Sequence, residues 1–246
     1  MMYRVAVRLF LGAMVVATLA LLLGTLEYPW NLRVPWQYRS LFVKGFVYTL
    51  WISLGAIAMG FVIGVAGGLA RVSNNEILRA LASYYVELFR GTPLLVQIYI
   101  FYFCLATAVR YDNPLVIGMV TLAFFSGAYI TEMVRAGIES IDPGQIEAAK
   151  STGLNGRQTM RYVVFPQAFR RIIPPVTGQF VSLIKDSSLL SVISVRELTK
   201  ASEVINATTY KTFEAYLPLA FLYLALTYPL SYLTRKLEQR LSNGKK

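Results

Sequence analysis

The sequence contains no histidine. That absence removes histidine general acid–base chemistry, a serine–histidine dyad and imidazole metal sites together. The one cysteine, Cys104, lies in an apolar run, so neither an intrachain disulfide nor a cysteine metal cluster can form. No Gly-x4-Gly-Lys-Ser/Thr phosphate loop occurs, which excludes nucleotide hydrolysis by that route. Charge is scarce as well: 15% of the 246 residues carry it, against about 25% in an ordinary soluble domain.

Apolar residues fill the space, at 56% of the chain and a mean hydropathy of +0.52. They come in long runs separated by short charged blocks, the pattern of a polytopic membrane protein. Six spans are expected: Val5 to Leu26, Phe46 to Ala70, Gly91 to Val109, Pro114 to Arg135, Ile172 to Val195 and Ala215 to Leu233. Each approaches the ~20 residues that cross a ~30 Å hydrocarbon core. Placing the N-terminus inside assigns blocks 1–8, 71–90, 135–171 and 234–246 to the cytoplasm. Those blocks carry more than twice the Lys and Arg of the opposite ones. The positive-inside rule therefore puts both termini in the cytoplasm. It also explains the net charge of +11 without nucleic acid.

The first run competes with a cleavable signal peptide. Its length, and the lack of a clean small-x-small site after it, favour an uncleaved helix. The second run places Ala56, Gly60, Gly64 and Gly68 on one ridge, which suits close helix packing inside the chain or at a subunit interface.

The stretch 142–166 is different in kind: a soluble-looking hairpin between two spans. Asp142 is expected to cap a helix, Pro143 to start it and Gln145 to complete a capping box. Gly153 then supplies a left-handed C-cap. Asn155 and Gln158 repeat the cap and box for a second short helix, which Pro166 is expected to stop before the next span begins.

Within that hairpin, Glu147-Ala148-Ala149, Gly153 and Val163-Val164-Phe165-Pro166 resemble the EAA loop of ABC importer permeases. Glu87 through Gln97, Ser126-Gly127-Ala128-Tyr129 with Glu132 and Arg135, and Lys185-Asp186-Ser187-Ser188-Leu189 resemble motifs of that family's polar amino-acid branch. Val and Phe stand where the loop pattern has Ile and Leu. The resemblance covers residues 41–241.

It implies an all-α membrane bundle of the type I ABC importer permease kind, with five core spans and an added N-terminal one. Residues 1–40 would form the extra helix and outer loop, 41–241 the transmembrane domain, and 242–246 a cytoplasmic tail. The resemblance further implies a non-catalytic subunit without a cofactor of its own. ATP and Mg would sit on two partner ATP-binding subunits, beside a second permease and an extracytoplasmic amino-acid-binding protein. Glu147, Ala148, Ala149, Gly153 and Pro166 become the expected ATPase-coupling residues.

Polar side chains inside spans are costly and mark candidate solute paths. Gln97, Ser126 and Tyr129 qualify. So do Gln179, Ser182 and Asp186, which follow i, i+3, i+7 spacing, and Lys185 beside them. Lys185 and Asp186 equally suit mutual neutralisation. Glu132, Arg135 and Glu139 are spaced for intrahelical pairs, and Arg90 and Thr92 for anchoring and capping the third span. Two other classes compete. An intramembrane hydrolase would need a Ser126–Lys185 pair, and an ion-coupled carrier predicts an internal repeat that the sequence does not show. The same architecture serving another small solute is a third alternative.

Overall fold

The computed structural model describes residues 27–243, together with Val7, 10–14, 17–18, 21, 24 and 25 of the first apolar run. Half of the expected first span and most of the expected tail fall outside the described residues. Every described element is helical: α1 (Arg33–Gln37), α2 (Arg39–Arg71), α3 (Glu76–Gly91), α4 (Leu94–Tyr99), α5 (Pro114–Glu139), α6 (Pro143–Ser151), α7 (Gly156–Thr159), α8 (Phe165–Asp186), α9 (Leu198–Thr209) and α10 (Thr212–Asn243). A π-helical stretch, Ile100–Ala106, extends α4, another, Met160–Val164, joins α7 to α8, and a 3-10 stretch, Ser187–Ile193, follows α8.

Helices α2, α5 and α10 are each long and apolar enough to cross a membrane, and α3 with α4 makes a further candidate bent by 106°. The expected third span corresponds to α4 and its π-helical extension, Leu94–Ala106. Gly91 alone of that span belongs to α3, a 16-residue amphipathic helix capped by Asn75 that occupies the expected cytoplasmic block. Thr92 does not cap α4. Its hydroxyl donates back to Leu88 O (2.8 Å) and accepts from the Gln97 amide (2.9 Å). Pro93, which has no N–H to continue α3, fixes the break. The fifth span also departs from expectation, since α8 begins at Phe165 and gives way to the tighter 3-10 turn at Ser187.

The centre of the bundle is the α2–α5 pair. Ala56, Gly60, Gly64 and Gly68 are all buried. A Cβ added at Gly60 would collide with Ser126 Oγ and lie 2.9 Å from Ala123 O, and one at Gly64 would lie 2.5 Å from the Ile130 side chain and 3.0 Å from Gly127 O. The ridge therefore seats α5 of the same chain, which decides between the two readings of its small residues. Around this pair, Ile98, Leu183 and Leu190 close one cluster with Ile52 and Leu122. Val164, Ala168 and Ile172 of the hairpin exit and α8 close another against Ile130 and Val134.

On the opposite side, α9 docks on α2 and α10 beside a fully buried carboxylate. Glu197 caps α9 by accepting from Thr199 N and Lys200 N, each at 2.7 Å, and takes a third bond from Tyr223 of α10 at 3.0 Å. Leu198 N donates to Thr49 of α2 (3.2 Å). Burial pushes the Glu197 carboxyl up to about 7, outweighing those hydrogen bonds.

Two outcomes follow. Gly64→Val should cost about 1–3 kcal/mol through overpacking and lower the melting temperature in detergent, whereas Gly178→Ala, where a Cβ meets nothing within 4 Å, should not. Because the folded protein holds the Glu197 proton more tightly than the unfolded chain, stability should fall as pH rises from 4.5 through about 7. Melting curves at pH 5.5 and 8 should show that loss, and Glu197→Gln should shrink it.

Candidate functional site: a surface hairpin beside a charged cluster

The hairpin is built by local chemistry. Asp142 Oδ1 accepts from Gly144 N at 2.7 Å, with Pro143 in the first helical position. Gln145 does not complete a box there. Its Oε1 instead accepts from Gln167 Nε2 at 2.5 Å, tying α6 to the start of α8. At the other end, Gly153 takes φ +85. Gly153 N then bonds Lys150 O (2.9 Å) and Leu154 N bonds Ala149 O (3.2 Å), the paired bonds of a Schellman turn. Asn155 and Gln158 form the full capping box expected of α7.

Pro166 does not stop the second helix. It sits in the first turn of α8, and the π turn before it lets the chain run on from Gly156 to Asp186. The missing proline N–H is accommodated by the π turn just before it, a local irregularity in the helical hydrogen-bond ladder. Ala149 is buried, while Glu147, Ala148, Lys150 and Gly153 are exposed. Glu147 forms no ion pair among the described residues. The tip thus presents a small-residue surface with a free carboxylate, held in a fixed shape and uncovered by the rest of the chain.

Beside the hairpin lies a charge cluster that spacing showed only in part. Arg135 of α5 pairs with Glu132 (2.8 Å) and with Glu139, as expected along one helix. Glu132 also meets Arg71, the last residue of α2, at 3.2 Å, and Arg90, near the end of α3, at 3.9 Å. One carboxylate therefore gathers three helices. The sequence signal was there: Arg71 closes the apolar α2 and Arg90 the amphipathic α3 at one membrane level, where an unpaired cation is costly.

The expected path residues separate. Gln97 is 5% exposed, and its Nε2 donates to Phe89 O (2.8 Å) and to Thr92, so it staples the α3–α4 break. Ser126 is fully buried opposite Gly60, with its hydroxyl donating to Ala123 O (3.3 Å). Tyr129 is half-buried, and the Arg90 guanidinium lies 5.1 Å from its ring centre. Gln179 is buried, Ser182 and Asp186 are half-buried and Lys185 is exposed. Neither Lys185 nor Asp186 forms an ion pair within 4 Å among the described residues. Tyr129 alone of these seven lines the open cleft beside the cluster, about 510 Å³, with Arg90, Glu132 and Arg171.

Residues 56–243 match the family described as the binding-protein-dependent transport system inner membrane component. The chain belongs to this family. It is 38% identical over 219 residues to the glutamine transport system permease protein GlnP of Escherichia coli K12, covering 88% of this chain and 99% of that protein. It is 37% identical over 214 residues to the probable glutamine ABC transporter permease protein GlnM of Bacillus subtilis, covering 87% and 99%. A crystal structure of an amino acid ABC transporter with histidines superposes with a TM-score of 0.82 at 35% identity, covering 87% of this chain and all of the other. The type I ABC importer permease fold expected from the motifs is therefore the fold of this chain, an inner-membrane transport component.

Glu132→Gln should leave Arg71 and Arg90 without a carboxylate and destabilise the chain by about 2 kcal/mol, intermediate between exposed and buried pairs. Glu139→Gln, at a carboxylate whose side chain is 51% exposed, should cost under ~0.5 kcal/mol. Thermal unfolding in detergent compares the two.

Proposed function

We propose that this chain is the permease subunit of an ATP-driven importer that carries a polar L-amino acid, of the glutamine class, into the cytoplasm. The observation that carries the reading is the hairpin at 143–164: preformed, exposed at its tip, and unclaimed by the rest of the chain. The glutamine-permease relatives supply the substrate class. ATP and Mg would be held by two separate ATP-binding subunits, since this sequence has no phosphate loop. A second permease subunit, identical or homologous, would complete the path, and an extracytoplasmic binding protein would deliver the solute.

In this reading both termini and the hairpin face the cytoplasm. Closure of the ATP-binding subunits pushes on Glu147, Ala148, Ala149 and the Gly153 turn. The push passes through the unbroken run containing Pro166 into α8, and the spans alternate between outward and inward openings. Gln179, Ser182, Lys185 and Asp186 give the path an acceptor and a donor for the two charges of an amino acid, each weak enough to release it. Gln97 and Ser126 act at one remove, by holding the break and the α2–α5 contact, and Tyr129 stands at the inner cleft.

Reconstitution with the ATP-binding subunit and binding protein should give ATP-dependent uptake of labelled glutamine. Uptake without any ATPase would overturn the proposal, and uptake of only non-amino-acid solutes would overturn the substrate class. Gly153→Asp should lower uptake at least ~100-fold, the scale of lost mechanical positioning, while leaving the protein in the membrane. A variant with full uptake would remove the turn from the coupling role.

A further inference from the structure

The cleft between α5 and α8 is cationic in a particular way. Glu132 is its one lining carboxylate, and that group is already shared by Arg71, Arg90 and Arg135. Arg90 reaches it only at 3.9 Å and keeps 41% of its side chain exposed. Arg171, across the cleft, faces no carboxylate within 4 Å among the described residues and donates one N–H to Ser140 O. Two guanidiniums thus keep unused donors toward the same open space of about 510 Å³. The remaining wall is small or apolar: Ala136, Gly137, Met133, Pro175 and the Tyr129 ring.

Depth narrows the ligand. Counted from Pro114, the first ~20 residues of α5 cross the ~30 Å hydrocarbon core and end near Met133. Glu132 and its arginines therefore stand at the headgroup layer, with Ser140 and Arg171 beyond them and Tyr129 just inside. Guanidinium forks match phosphate oxygens bidentately, and basic pockets between spans take anionic headgroups. We infer that this cleft binds a phosphate group, held between Arg90 and Arg171, with a phospholipid of the adjoining leaflet as its source. The apolar wall receives the start of the acyl chains while the guanidiniums hold the headgroup. Neither the family assignment nor the transport reading requires this site.

The test uses the full-length chain in a neutral detergent, with added phosphatidylglycerol, phosphatidylcholine or inorganic phosphate as probes and melting temperature as readout. Phosphatidylglycerol should raise the midpoint and phosphatidylcholine should not. A rise with inorganic phosphate equal to that with phosphatidylglycerol would keep the phosphate site and replace the lipid by free phosphate as its source. Arg171→Gln should weaken the apparent phosphatidylglycerol affinity about tenfold, one charge-assisted contact. Arg170→Gln, which removes the neighbouring exposed cation, should leave it unchanged. Should Arg171→Gln fail to fold, Ala136→Leu fills the cleft without touching a charge and should abolish the shift. Equal loss in the Arg170 and Arg171 variants, or an undiminished shift in the Ala136 variant, would overturn the site.

Discussion

The structure depends on how closely α2 and α5 approach. Without side chains at Gly60, Gly64 and Gly68, the α2 backbone comes within reach of α5 carbonyls at Ala123, Gly127 and Thr131. In a lipid surround no hydrophobic drive favours helix against helix, so dispersion across such a dry, close seam carries the association. The seam also sets register. With α2 and α5 running side by side over this length, Arg71 arrives level with Glu132, and the charged cluster can form only there.

From the seam outward, each layer relies on the one before it. Glu132 draws in Arg90 and with it the end of α3, while Gln97 closes the break that follows. The far end of α5 delivers the chain to Asp142 at a fixed height, and the Gln145–Gln167 bond returns it to α8. The hairpin therefore belongs mechanically to α5 and α8, and its local caps give shape without deciding position. On the other face Glu197 plays the matching part for α9, as a carboxylate whose oxygens are spoken for by two backbone N–H groups and Tyr223.

Much of this was legible in the residues. Caps at Asp142, Asn155 and Gly153 act within a few positions along the chain, so their reading needs no knowledge of the fold. Long apolar runs gave α2, α5 and α10 for the same reason. The misreadings all involve competition with distant partners or a mixed pattern. Gln145 had a local box available and took Gln167 instead, 22 residues away. Thr92 looked like a cap and became an acceptor for Gln97. The segment 76–91 reads as loop by its charges, yet its apolar positions recur at helical spacing and bury Ala82, Val86 and Phe89. Polar residues in spans were read as one class; the fold divides them into Gln97 and Ser126, which are used up internally, and Lys185 and Asp186, which have no ion-pair partner among the described residues.

The π turn at Met160–Val164 has a consequence of its own. Because Pro166 interrupts nothing, residues 156–186 form one rod, roughly 45 Å long at 1.5 Å per residue. Its near end is the outer edge of the hairpin and its far end is Asp186. The packed patch at Ala168 and Ile172 lies close to its middle. A beam pivoted near its middle passes displacement on at about its own size and in the opposite sense, so an inward push at the hairpin reappears as an outward swing at Lys185 and Asp186.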